Sequence, residues 1–495
     1  MERSVYFQTW MPYRPNTHPV HPPKHQGMIE DLVANHATML FWSMMGGGAV
    51  SLPFLESQIY DNILPTLRFH GFMNEKEFNQ ECLARGITPF AVIYQAQNWE
   101  FPVRFNNDHT AINEINILRH EGDYEWYGTR EFTQDTYPAL FPKKFRDYFP
   151  GGLVNSNGEE VTDLWDECAS RNLYGKPVHS GWVEVEGYWH TCQHPCRNNP
   201  VWQMYIKKQA EIIIDAGAVA IQLDETENPL TAAGWGGCFC KDCMKQFRAY
   251  LKRRRADGTL PGEMADLDLG VFDYGVYLWQ KHIHWPDTIK DIPFVRVYWD
   301  FQIEAANQTF QDIIRFIRDY GQKKYRRAIK VSGNFFNMHM LYRPSLEALD
   351  FCVTENRRTV LRRHEWYRMA AGYTGDKPLA VTESPYDGFM QKFVELVHQG
   401  KADDYYRLFV MEAAAHGISM CYPYGSWMGN KVRDAFYPPR KTAKQVTDFL
   451  YDYDRYFGKR SGANVLVLYS FHTNRFRDWQ TSQGESLVAG DTDDL

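Results

Sequence analysis

Three carboxylates, Asp224, Glu225 and Glu227, close an apolar run that begins at Ala218. Acids at the C-terminal tip of a buried strand stand where a barrel enzyme keeps its catalytic groups. Soon after them comes a Cys-x-Cys-x2-Cys cluster, Cys238, Cys240 and Cys243. Thiols spaced this closely can wrap one ion, and tetrahedral zinc wants a fourth ligand. Cys196, in CQHPCRNNP, is the expected fourth, with Cys192, His190 and His194 as rivals. A Cys-rich zinc site is closed, so the ion is expected to clamp the loop after the strand rather than to catalyse.

Two further acids end apolar runs: Glu355 in VTEN and Glu383 in VTES. Glycoside hydrolysis needs two carboxyl groups flanking the scissile bond, one to protonate the leaving oxygen and one to attack or to activate water. Asp224, Glu225, Glu355 and Glu383 are the candidates. Asn334 and Asn356 follow neighbouring runs and offer amides to a sugar. Trp42, Trp99 and Trp427 offer aromatic faces, with Trp42 and Trp427 expected as neighbours across the barrel seam.

The elements that must position these groups repeat one form, a short apolar run ending in polar residues. The runs are 36–45, 87–97, 179–186, 218–225, 328–334, 351–356, 378–384 and 418–424. Helical patterns at 75–85, 202–216, 299–320 and 403–416 lie between them, the second and fourth stopped by Gly217 and Gly417. Eight strands alternating with helices predict an α/β fold, a (β/α)8 TIM barrel with inserted loops. Gly46–Gly48 lacks the G-x-G-x-x-G spacing of a nucleotide loop. The barrel is expected to span residues 1–458. The run ANVLVLY after a Gly-Lys-Arg-Ser-Gly break is expected to start a second α/β domain at 459–495, one that reads as incomplete.

Composition narrows the partners. Net charge is −7 and the KRRR run at 252–255 reads as a solvated helix face, which argues against nucleic acid. No apolar run approaches the ~20 residues that span a bilayer, and no signal peptide is legible, so a cytoplasmic protein is expected. Nine cysteines, five of them between 192 and 243, argue for metal ligation over a disulfide framework. Aromatic residues make up 15% of the chain, enough to supply sugar platforms as well as a core.

The segment KPLAVTESPYDGF (377–389) resembles the strand-seven nucleophile motif of glycoside hydrolase family 42, the clan A β-galactosidases. RLFVMEAAAHGISMCYPY (407–424) is similar to that family's next helix and strand. The Cys set with the following Phe-Arg-x-Tyr-Leu resembles its zinc site, and ANVLVLYS (463–470) the start of its trimerisation domain. The resemblance implies a retaining mechanism with Glu383 as nucleophile, a strand-four acid as acid/base, structural zinc and a homo-oligomer, a trimer. The family pattern at strand four is Gln-x-Asp-Asn-Glu, whereas this chain reads Gln222-Leu223-Asp224-Glu225-Thr226. Threonine cannot supply the proton, so Glu225 is expected to take the role, and galactose specificity does not carry over.

A second chemistry fits the same residues. In barrel glycosidases acting on α-linkages the nucleophile is an Asp at the tip of strand four and the acid lies on strand six, which would be Asp224 and Glu355. If Ile221 and Leu223 face the helices, Gln222 and Asp224 face the barrel interior. The leading expectation is a retaining hydrolase removing a terminal sugar from an oligosaccharide or glycoside. A non-catalytic carbohydrate-binding protein and a metal-dependent hydrolase are the other classes. Strand tips almost without histidine weigh against the last.

Overall fold

The computed structural model describes residues 1–9, 26–42, 47–61, 63–115, 124–179, 192–225, 238–283, 292–336, 346–356, 364–383, 395–426 and 439–460, with 462, 464, 465 and 468 beyond them. The barrel strands are β1 (Ser4–Thr9), β2 (Met39–Trp42), β3 (Thr88–Ile93), β4 (Ala220–Leu223), β5 (Lys330–Phe336), β6 (Phe351–Asn356), β7 (Leu379–Glu383) and β8, split into Ser419–Met420 and Tyr422–Ser426. Each pairs in parallel with the next in chain order. The split strand closes the ring: Ser419 pairs with Ala380 of β7, and Tyr422 pairs with Val5 of β1. The chain is a (β/α)8 barrel.

Helices cover the strands where their period puts apolar residues on one face. α1 (Glu75–Ala84) opens on a capping box: the Glu77 amide donates to the Asn74 side chain at 2.9 Å, and the Asn74 amide donates back to the Glu77 carboxylate at 3.3 Å. α2 (Pro200–Asp215) is capped by Asn199, whose side-chain oxygen accepts from the Val201 and Trp202 amides. α3 (Lys241–Ala256), α4 (Val295–Tyr325) and α5 (Asp403–Ala415) follow. The lumen is a packed core. Phe41 of β2, Phe90 of β3 and Phe351 of β6 meet there, with ring centroids 5.0–5.9 Å apart.

Two expectations about the strands need correction. The first strand is Ser4–Thr9, a run the hydrophobic pattern did not single out. The run at 179–186 contributes no barrel strand: Ala91–Ile93 of β3 pair directly with Ile221–Leu223 of β4, and His179 makes only an isolated antiparallel bridge to Gln193. Residues 180–191 lie outside the described residues. The two errors offset each other, so Asp224 still follows strand four. Because β1 stands between β2 and β8, Trp42 is not on a strand adjacent to the one that precedes Trp427.

After β3 the chain leaves the barrel as an antiparallel sheet of Asn98–Phe105, Ile112–Ile115 and Glu125–Gly128, to which Cys192–Gln193 adds an edge. At the other end, Gly417 before β8 has φ +70°, and a Cβ there would stand 2.2 Å from the Gly458 backbone. Gly417→Ala is therefore expected to destabilise the protein by ~1–3 kcal/mol or more in urea unfolding, through left-handed strain and the clash together. The expected second domain at 459–495 falls almost wholly outside the described residues.

Candidate active site

The pleat decides which side chains reach the mouth of the barrel, because register partners on parallel strands share a face. Val92, Gln222 and Ser332 form one register row on β3, β4 and β5. Asn334 pairs with Val353, and Glu355 pairs with Thr382. Gln222, Ser332 and Thr382 are buried polar residues, and Asp224 follows Gln222 by two residues on the same face.

Asn334 gathers the acids. Its Nδ2 donates to Asp224 Oδ1 at 3.0 Å and to Glu355 Oε1 at 3.0 Å. Two oxygens each at that distance from one nitrogen are at most 6.0 Å apart. The amide has two hydrogens, one for each carboxylate. Asp224 also accepts from the Gln222 side chain and the Glu225 amide, and burial, the larger effect, raises its pKa. Its own amide donates to Ile93 O at 2.9 Å, tying the strand-four tip to β3.

Glu225 is held differently. Its backbone has φ +50°, a left-handed conformation that a non-glycine residue adopts at a cost of ~1–3 kcal/mol. Such strain persists where surrounding contacts fix it. Here the Arg197 guanidinium donates to the Glu225 carbonyl, and Gln97 Nε2 donates to Oε1 at 2.9 Å. Burial, with Asp224 beside it, pushes the Glu225 carboxyl up to about 8, so it holds its proton at neutral pH.

A second buried acid, Glu100 on the inserted sheet, is likewise raised to about 8 by burial. Both groups sit above their ordinary value of 4.5. Between pH 4.5 and 8 the unfolded chain releases protons that the folded chain keeps, so stability falls as pH rises across that window. Urea midpoints measured from pH 4.5 to 8 are expected to decline, and Glu100→Gln is expected to flatten the slope.

The thiol cluster lies beside this site. The sulfurs of Cys196, Cys238, Cys240 and Cys243 all lie within 4.8 Å of one another and are buried. Cys240 Sγ caps α3, accepting from the Cys243 amide at 3.4 Å. The Arg171 amide donates to Cys238 Sγ at 3.3 Å, and Asn198 Nδ2 to Cys243 Sγ at 3.4 Å. Amide donors thus reach three of the four sulfurs. The set fits zinc, whose ~2.3 Å bonds require sulfurs about 3.8 Å apart. Two of the rivals sit elsewhere. Cys192 pairs with Trp99 at the sheet edge, and His194 is buried with Nδ1 donating to Ala96 O at 3.1 Å and its pKa lowered to about 4 by burial.

Not every expected residue converges. Trp99 presents no face to a sugar: it is fully buried and stacks on Phe101 at 5.3 Å. Glu383 and Asn356 are register partners one step beyond the Glu355–Thr382 pair, and their side chains, like that of Trp42, lie outside the described set. His190, Glu227 and Trp427 also lie outside the described residues. Gln97 and Arg197, which the sequence does not single out, contact the acids, as does Gln222, expected only to face the barrel interior. The legible signal for Gln97 was its place as the polar residue ending ITPFAVIYQAQ.

No family model matches the chain, and no curated protein does. Solved structures similar to it include a β-galactosidase from Bacillus circulans sp. alkalophilus, 13% identical with a TM-score of 0.48 over 91% of this chain and 56% of that one. This chain thus spans little more than half the length of that protein. The catalytic domain of a β-amylase from Paenibacillus polymyxa is 10% identical, with a TM-score of 0.44 over 90% of this chain and 98% of that one. A cyclic α-maltosyl-(1→6)-maltose hydrolase from Arthrobacter globiformis is 11% identical, with a TM-score of 0.38 over 91% and 83%. At such identities and TM-scores the chemistry has to come from this chain's own residues.

Proposed function

We propose that this protein is a retaining glycoside hydrolase that uses Asp224 as nucleophile and Glu355 as acid/base. The observation that carries the reading is the Asn334 amide shared by both carboxylates, which keeps one oxygen of each within 6.0 Å of the other. Retaining enzymes hold the two carboxyl groups ~5–5.5 Å apart, whereas inverting enzymes leave ~6.5–9.5 Å for a water. Asp224, fixed by Asn334, Gln222 and the Glu225 amide, attacks the anomeric carbon. Glu355, half-buried at the end of β6, protonates the leaving oxygen and then takes a proton from the water that releases the sugar. Protonated Glu225 supplies a donor to a substrate oxygen while adding no second negative charge beside Asp224. Above pH 8 that charge forms, so kcat/KM is expected to fall on the alkaline side, with an apparent pKa near 8.

A second reading makes Glu225 the acid/base and Glu383 the nucleophile, as the family 42 resemblance implies. The observation that favours it is the proton Glu225 retains at neutral pH. A panel of α- and β-nitrophenyl glycosides, run with Asp224→Asn and Glu383→Gln beside wild type, separates the two. Cleavage of an α-glycoside lost with Asp224 supports the first reading. Cleavage of a β-glycoside lost with Glu383 and retained in Asp224→Asn supports the second.

Zinc belongs to the same proposal. Cys196, Cys238, Cys240 and Cys243 would hold it in a closed tetrathiolate site, giving the ion a clamping role. Residues 196–199 then form one continuous brace: Cys196 binds the ion, Arg197 holds the Glu225 carbonyl, Asn198 donates to a thiolate and Asn199 caps α2. The substrate is a carbohydrate. No helix among the described residues is long and apolar enough to cross a membrane.

A further inference from the structure

Gln97 links the inserted sheet to the acids through an ordered chain of donors. Trp99 Nε1 donates to Gln97 Oε1 at 2.8 Å, and Gln97 Nε2 donates to Glu225 Oε1 at 2.9 Å. An indole N–H can only donate, so the oxygen of the Gln97 amide must face Trp99 and its NH2 must face Glu225. Trp99 thereby fixes the sense of an amide that could otherwise flip. Gln97 and Trp99 are 3% and 0% exposed.

The loop that carries them is pinned at successive residues. Gln95 O accepts from Trp202 Nε1 at 2.7 Å, and Ala96 O accepts from His194 Nδ1 at 3.1 Å. Asn98 accepts from Thr129 Oγ1 at 3.1 Å and pairs with Gln193, and Trp99 pairs with Cys192. An amide aimed this firmly is preorganised, and preorganised partners set the geometry and charge of the group they touch.

We infer that Gln97, its amide oriented by Trp99, is a positioning residue that fixes the Glu225 carboxyl with Oε1 as acceptor, leaving Oε2 to carry the proton toward substrate. This rests on reading the barrel mouth as a glycosidase site. Oε2 is itself buried and has no hydrogen-bond partner among the described residues. Among the described residues, the other charged groups facing Glu225 are Asp224 beside it on the β4 tip, Arg197 from the turn before α2, and Glu355 from β6. Of the neighbours, Asp224 and Glu355 hold the Glu225 pKa up, while Gln97 and Arg197 draw it down.

The test reads Glu225 directly. Carboxyl carbon-13 signals of glutamate-labelled protein are titrated in wild type, with Glu225→Gln identifying the resonance, and then in Gln97→Leu and Trp99→Phe. Gln97→Leu removes a donor that favours the ionised form, so the midpoint should rise above about 8. Trp99→Phe keeps an aromatic ring but removes the N–H that orients the amide, so the midpoint should rise by less. If cleavage is found, its alkaline limb should move with the midpoint while KM changes less than kcat. A Glu225 midpoint unmoved in folded Trp99→Phe and Gln97→Leu overturns the inference. Absence of cleavage on every glycoside overturns the glycosidase reading alone, because the titration needs no substrate.

Discussion

Asp224→Asn is expected to fold as wild type does and to lose turnover by on the order of 10⁴-fold or more, the scale on which a nucleophile's removal is felt. The substitution keeps the size of the side chain while abolishing the attacking charge. Glu355→Gln is expected to cost ~10²–10⁴-fold, the range for a general acid, with the larger loss on substrates whose leaving groups need the proton most. Nitrophenolate leaves without help, so Glu355→Gln should retain far more activity on nitrophenyl glycosides than on oligosaccharides. Asp224→Asn should be inactive on both. Asn334→Ala belongs with these: it removes the amide that donates to both carboxylates, and with it the contact that fixes their separation. Its turnover should fall without a matching rise in KM. Steady-state kinetics on the two substrate classes, with circular dichroism to certify folding, checks all three.

The second large effect is on stability. The purified protein is expected to carry one zinc per chain, and stripping it with a strong chelator should lower the thermal midpoint by roughly 4 °C. A metal present a thousandfold above its Kd contributes ~4 kcal/mol to the folded state. Cys238→Ser should behave similarly, since its sulfur is one of the four in the cluster. Loss of activity should accompany loss of the ion, because Arg197, which holds the Glu225 carbonyl, directly follows Cys196. Metal content by atomic emission and melting followed by calorimetry give the result. A metal-free protein with an unchanged midpoint after chelation would remove zinc from the proposal.

The barrel was legible because its strands β3 to β8 are short apolar runs with polar C-terminal ends, and long amphipathic helices such as α2 and α4 separate them. β1 was hidden by its composition: SVYFQT mixes polar and apolar residues and stands before any helical pattern that would frame it. The run at 179–186 misled for the opposite reason, since alternating valines look the same in an insertion as in a barrel. The thiol cluster was legible because three of its members lie within six residues of each other. Glu225 could be named from its place at a strand tip, but its left-handed backbone could not, because that depends on Arg197 reaching across from the turn before α2. Nor could Trp99 be separated from a sugar platform: an indole in sequence shows neither its burial nor the Gln97 oxygen it faces. Nor could the sequence show that one amide on β5 bonds both Asp224 and Glu355, because that depends on the barrel's register.

The most direct measurement is the anomeric configuration of the first product, followed by proton NMR on whichever nitrophenyl glycoside wild type cleaves, with Asp224→Asn as the control. The shared Asn334 amide keeps one oxygen of each carboxylate within 6.0 Å of the other, closer to the ~5–5.5 Å of retaining enzymes than to the ~6.5–9.5 Å of inverting ones. The sugar should therefore appear first with the configuration of the substrate, and Asp224→Asn should release none. A product of inverted configuration, or undiminished release by Asp224→Asn, would contradict the Asp224–Glu355 double displacement.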